Sequence, residues 1–286
     1  MGKKIIVALI VVALAIGAYY LFRPAKPLIV GFVPSQDASK LAEIAQPLAD
    51  MMKKELGRPV QVFIASNYTG LIEALGSGKA DVGFLASAAY VLAHDTNGTK
   101  VILKTVRNGS GIYRGQFTVL ANSNINGPED FRGKRIAIVD PVSTSGYIFP
   151  MAYLKGLGYN IESDFTLVET GGHDNAIVAV LNGDADIACT YEDARDRVAK
   201  EYPDVKERTK VVGYTAWIPN DTVSVRPDMD DKLAGEIKAA LLRIAETEEG
   251  VAVLKAIYNI TGLTDAQDSE YDVIRETLEL GFQLLK

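Results

Sequence analysis

The chain has 286 residues, 48% of them apolar, enough to bury one large core or two medium ones. Its formal net charge of −6, with no basic run beyond the first few residues, argues against a nucleic-acid partner. The single cysteine, Cys189, rules out an intramolecular disulfide and any multi-cysteine metal site, and its apolar surroundings predict a buried, inert thiol.

Residues 1–26 read as a signal anchor or signal peptide. Lys3 and Lys4 precede the uncharged run Ile5–Phe22, which Arg23-Pro24-Ala25-Lys26-Pro27 stops. That run is long for a signal-peptide core and just long enough to cross a bilayer, and no convincing small-residue cleavage site follows it. An uncleaved transmembrane anchor over residues 5–22 is therefore the preferred reading, with the basic flank inside and the remainder exported.

From Pro27 onward strand-like and helix-like segments alternate. Leu28–Val33, Val60–Ala65, Val82–Leu85 and Val101–Val106 read as strands. Between them Ala38–Glu55 places Leu41, Ile44, Ala45, Leu48, Met51 and Met52 at helical spacing, and Thr69–Leu75 and Ala86–His94 read as shorter helices. A second set begins near Gly115, with strands at Gln116–Ala121, Arg135–Val139, Phe165–Glu169, Ile187–Thr190 and Lys210–Gly213. Its helices are Gly146–Leu157, Asp174–Leu181 and Glu192–Glu201. Thr222–Arg226 reads as extended again, and three amphipathic helices close the chain. Such alternation with short connections predicts an α/β fold with largely parallel sheets.

The two sets resemble each other. The stretch from Gly70 through Gly78 and Ala80-Asp81 to Gly83 matches that from Asn175 through Gly183 and Ala185-Asp186 to Ala188, at a constant offset of 105 residues. In both, a short helix ends at a glycine and runs through Ala-Asp into a strand. The same offset pairs Tyr68 with His173, each just before its helix, and so predicts that they face one cleft from opposite walls. Glu73, Asp81, Asp184 and Asp186 fall in the repeated turns and read as structural.

The segment Ile136–Gly146 reads as a buried strand that stops at Pro141 and feeds a helix. Ser143, Thr144 and Ser145 sit at the junction. A helix start leaves backbone N–H groups unpaired and carries partial positive charge, and three hydroxyls add donors suited to a small tetrahedral oxyanion. An ordinary helix cap is the better explanation of one such residue alone, and for three in a row the two readings weigh equally.

With these motifs in order, the chain resembles the solute-binding components of ABC importers for phosphonate, phosphite and related phosphorus oxyanions. The motifs are Asn67-Tyr68-Thr69-Gly70, Tyr113-Arg114-Gly115, Asp140–Gly146, Gly172-His173-Asp174 and Pro219-Asn220-Asp221. The resemblance implies a type II periplasmic-binding-protein fold, two Rossmann-like α/β lobes joined by two crossover strands. Lobe 1 is then 27–114 with 222–286, including the C-terminal helices, and lobe 2 is 115–221. It also implies an extracytoplasmic, monomeric protein that hands its ligand to a membrane permease and uses no cofactor or metal. By the same resemblance Ser143, Thr144 and Ser145 form a hydroxyl cradle, Tyr68 and His173 add donors, and Tyr113 faces them. Asp221 is the acid of the second crossover, and Asp193, or Glu192 beside it, is the acid that meets an amino group in some members.

Chemically, neutral donors in a closed cleft solvate an anion without a permanent cation to hold it too tightly. An acid beside an anion makes sense when it accepts from a P–OH group or meets an ammonium, so Asp221 is expected to select a protonated or zwitterionic ligand. Phosphite and an aminoalkylphosphonate lead. Two other readings remain. One is a ligand-sensing domain for a membrane partner. The other is a hydrolase using Ser143 and His173 with Asp174, weakened because no G-x-S-x-G elbow is present.

Overall fold

The structure, a computed structural model, describes residues 26–283. The anchor expected over residues 5–22 lies outside them. Among the described residues no helix is long and apolar enough to cross a membrane.

The chain runs β1 (Leu28–Phe32), α1 (Ala38–Leu56), β2 (Val60–Ile64), α2 (Tyr68–Gly76), β3 (Val82–Leu85), α3 (Ser87–Asn97) and β4 (Lys100–Val106) in a first lobe. It crosses to a second lobe as β5 (Ile112–Leu120), β6 (Arg135–Ile138), a π-helical turn (Thr144–Ile148), α4 (Phe149–Gly156), β7 (Thr166–Glu169), α5 (His173–Asn182), β8 (Ile187–Tyr191), α6 (Val205–Arg208) and β9 (Thr209–Pro219). It returns as β10 (Thr222–Val225), α7 (Asp231–Ala245), α8 (Glu248–Tyr258), β11 (Gly262–Thr264) and α9 (Asp272–Gln283). The sheet orders are β11-β4-β10-β3-β1-β2 and β7-β6-β8-β5-β9.

Both sheets are mixed rather than largely parallel. β1 is parallel to β2 and β3, and β6 to β7 and β8, as βαβ units require. The returning strand β10 inserts antiparallel between β3 and β4, and β5 lies antiparallel between β8 and β9. The crossings reverse the chain direction, and hydropathy patterning carries no information about that.

The crossovers are tight. β5 starts at Ile112, so Tyr113 and Arg114 already belong to the second sheet, and the linking segments are short. Asn220 stitches them together: its N–H donates to Gly111 O at 3.0 Å, and its amide donates to Thr105 O at 3.0 Å and Ser110 O at 2.8 Å. These bonds tie the two linking segments to one another where the chain passes between the lobes.

Each lobe has its own core. In the first, Phe32 stacks on Phe84 at 4.8 Å, and Leu41, Ala45, Leu48 and Met52 present the buried face of α1. In the second, Phe117, Phe131, Ile136, Ile138 and Leu154 pack with the buried Cys189. The repeated aspartates do the same work twice. Asp81 accepts from Ile29 N–H and Asp186 from Arg135 N–H, both at 2.8 Å, and each also pairs with an arginine, Arg226 and Arg135 respectively. The helix expected over Glu192–Glu201 is replaced by a left-handed Asp193 (φ 62°) and a single 3-10 turn, Ala194–Arg197.

Candidate functional site

The helices that point at the cleft begin where the sequence places chemistry. Tyr68 opens α2 and His173 opens α5, from opposite lobes, and both side chains are buried. Their backbone N–H groups reach across the cleft. Tyr68 N–H donates to Asp140 Oδ2 at 3.2 Å, His173 N–H to Ser35 O at 3.0 Å, and Ala88 N–H of α3 to Thr144 Oγ1 at 2.9 Å. Each lobe thus satisfies helix-start donors of the other, and the lobes are closed on one another. These three N–H groups are engaged, and hydroxyls, phenols and guanidinium groups are the side-chain donors lining the space between.

That space is a cavity of about 40 Å³, walled by Tyr68, Tyr113, Ser143, Thr144, Ser145, His173 and Asp221 together with Thr105, Arg107, Tyr191, Arg197 and Tyr258. On the measure by which one water needs ~10–15 Å³, it has room for roughly three water-sized groups.

The hydroxyl triplet is held by an unusual turn. Ser143 Oγ caps it by accepting from Gly146 N–H at 3.2 Å, and Ile148 N–H donates to Ser143 O at 3.0 Å, five residues back. This wider π-type turn is a local departure from the α-helix, of a kind frequent at functional sites. Gly146 is required: a Cβ there would lie 2.5 Å from Val139 Cγ2. The Ser143 hydroxyl contacts the Tyr68 phenol, and those of Ser145 and Thr144 contact the Tyr113 phenol. Burial pushes both phenols above their ordinary pKa, so they stay protonated and able to donate.

His173 is neutral. Burial first, and then the nearby Arg107 and Arg197, lower its pKa to about 3. Its Nδ1 accepts from Tyr191 N–H at 3.3 Å, which leaves the proton on Nε2.

The charges are Arg107, Arg197 and Asp221, two cations against one anion. Arg107 donates to Asp221 Oδ2 at 2.5 Å, to Asn220 Oδ1 at 3.3 Å and to Tyr258 O at 3.0 Å. The other carboxylate oxygen, Asp221 Oδ1, is buried without a hydrogen-bond partner, as is Thr105 Oγ1 in the same wall. Buried polar atoms are nearly always paired, so two orphans facing one cavity mark it as a polar binding site. Among the described residues no cluster of His, Cys, Asp or Glu could hold a metal ion.

Comparison with known proteins decides the family. Residues 30–271 match the model of the periplasmic substrate-binding proteins of phosphonate ABC transporters. The chain belongs to this family. Among its relatives, the phosphate-import protein PhnD of Mycolicibacterium smegmatis is 28% identical over 271 residues, covering 87% of this chain and 84% of its own. The phosphonates-binding periplasmic protein of Escherichia coli is 27% identical over 237 residues, covering 81% and 70%. A Prochlorococcus marinus binding protein solved with methylphosphonate shares the fold, with TM-score 0.79 at 21% identity over 91% of this chain and 99% of that one.

As a phosphonate-family substrate-binding protein, the chain is the extracytoplasmic component of an ABC importer and not an enzyme. The hydrolase alternative also lacks its geometry. Asp174 accepts from Asp37 and Asn175 N–H groups, not from His173, and a histidine with pKa near 3 is a poor base.

Asp193 is not with the others. Its carboxylate is 58% exposed and sits 3.5 Å from Arg195, while Glu192 is paired with Arg114 at 2.7 Å. Neither acid lines the cavity, and Tyr191 is the residue of this stretch that reaches it.

The expectation of purely neutral donors is corrected by Arg107 and Arg197. Their positions are set by the hinge and by a turn after β8, and no local motif announces them. Asp140 was visible as part of a motif, but its cross-cleft bond to α2 was not.

Proposed function

We propose that this protein captures a small phosphorus oxyanion in its singly charged, protonated form and delivers it to a membrane permease, with phosphite and methylphosphonate as the leading ligands. The observation that carries this reading is the unpartnered Asp221 Oδ1 beside the Ser143-Thr144-Ser145 hydroxyls in a cavity of about 40 Å³. Hydroxyls, phenols and the His173 Nε2–H donate to unprotonated oxygens, and Asp221 Oδ1 accepts from a P–OH group. Two guanidinium groups against one carboxylate leave one net positive charge, which complements a monoanion.

The aminoalkyl alternative loses support. Glu192 and Asp193 lie outside the cavity, Arg107 already offsets the charge of Asp221, and the space accommodates little beyond the phosphoryl head. Phosphate is the second reading, favoured by the name of the mycobacterial relative, and its monoanion also carries a P–OH.

Calorimetric titration with phosphite, methylphosphonate, phosphate, aminoethylphosphonate and sulfate tests this. The expected order places phosphite and methylphosphonate first and aminoethylphosphonate and sulfate last. Tight binding of sulfate with failure of every phosphorus oxyanion overturns the assignment. Delivery is tested by ligand uptake into vesicles containing the permease, which should depend on this protein.

A further inference from the structure

We propose that Arg197 is a latch that joins the ligand cavity to lobe closure, holding the far lobe with one part of its guanidinium while another part faces the ligand. This builds on the binding function above. Arg197 ends the 3-10 turn after β8, so it belongs to the second lobe, and it lines the cavity. Its Nη1 donates to Ala256 O at 2.9 Å and its Nη2 to Ile257 O at 3.2 Å, both in the last turn of α8 in the first lobe. Its Nε donates to Tyr191 OH at 3.0 Å, which fixes the fork from within its own lobe.

The end of α8 explains why an arginine is needed. The helix stops at Asn259 in the left-handed conformation, and Asn259 N–H returns to Lys255 O at 2.9 Å. The next carbonyls have no helical N–H to accept from. Arg197 takes that of Ala256 and shares that of Ile257 with the Gln36 amide, which donates to it at 2.8 Å from within the first lobe, and Arg107 takes that of Tyr258. The helix C-terminus carries partial negative charge, so guanidinium groups suit it.

The two arginines differ in one respect. Arg107 follows β4 and bonds within its own side of the hinge, so its contact with Tyr258 survives opening. Both Arg197 bonds to α8 cross the cleft and must break when the lobes part.

A guanidinium carries five N–H donors, and three are engaged here, leaving one on each Nη. The same planar group can therefore hold the α8 carbonyls and an anion together. Lysine, with a single compact head, cannot span two successive carbonyls while doing so.

The test compares full-length wild type with Arg197→Lys and Arg197→Gln. The readouts are phosphite and methylphosphonate binding kinetics and the radius of gyration with and without each ligand. Both variants should release ligand at least tenfold faster and lose most of the ligand-induced compaction. Arg197→Lys should keep a near-normal association rate, because its charge is retained. Ligand release and compaction equal to wild type, whatever the change in melting temperature, overturn the latch. Should neither ligand bind the wild type, the choice of phosphite and methylphosphonate falls, and the latch is judged on the ligand-free proteins. A larger radius in Arg197→Gln then supports it, and an equal radius overturns it.

Discussion

The Thr144 hydroxyl of the second lobe accepts a hydrogen bond from the Ala88 N–H of the first, at 2.9 Å, and both atoms are buried. The helix α3 thus finds one of its start-of-helix acceptors only when the lobes are closed. Thr144→Val keeps the shape and removes the acceptor. It should weaken phosphite or methylphosphonate binding by about 1–3 kcal/mol, roughly 5- to 150-fold, because the closed state then buries an unpaired N–H. Calorimetry measures this, and unchanged affinity would remove the contact from the closure mechanism.

Ser145→Ala is the cleanest probe of the hydroxyl cradle. Ser143 also caps its turn and Thr144 also bridges the lobes, so their removal mixes effects. Losing one hydrogen bond to a charged ligand should reduce affinity by at least about tenfold with little change in melting temperature. Equal affinity in the variant and the wild type would place Ser145 outside the contact set.

Asp221→Asn should change pH dependence more than shape. In the wild type, affinity for each ligand is expected to fall as pH rises through that ligand's own second ionisation, because the P–OH that Asp221 would accept from is then lost. The variant leaves Arg107 without its carboxylate, so the guanidinium can meet the doubly charged ligand and the profile should flatten or reverse. Parallel profiles would rule out proton selection by Asp221.

His173 makes the fold acid-sensitive. Its folded pKa, about 3, lies below the unfolded value near 6.5, so in that window the unfolded chain binds the extra proton. Its contribution to stability is complete above pH 6.5 and is lost as pH falls toward 3, by at most on the order of 4–5 kcal/mol. Melting temperatures of wild type and His173→Gln should converge as pH falls from 7 to 4. A constant gap would show that His173 does not titrate in this way.

Asp193→Asn and Glu192→Gln should leave affinity within about twofold, since neither side chain lines the cavity. A tenfold loss in either would require this loop to rearrange on ligand binding.

Much of this protein was legible in its sequence. The two βαβ sets, the 105-residue repeat, the buried thiol and the facing of Tyr68 and His173 all follow from helical and strand periods and from glycine-ended turns, which are local properties of the chain. The three hydroxyls were visible for the same reason, since a strand, a proline and a helix start adjoin one another in sequence.

Tertiary structure alone decided the electrostatics. Arg107 lies on a hinge whose geometry depends on Asn220, and Arg197 reaches α8 only through closure. Asp193, a plausible ligand contact, stands toward solvent. Local patterning shows which residues form an element, but not which charges meet after the chain has crossed between lobes twice. That meeting gave Asp221 a partner for one oxygen and left the other facing the cavity.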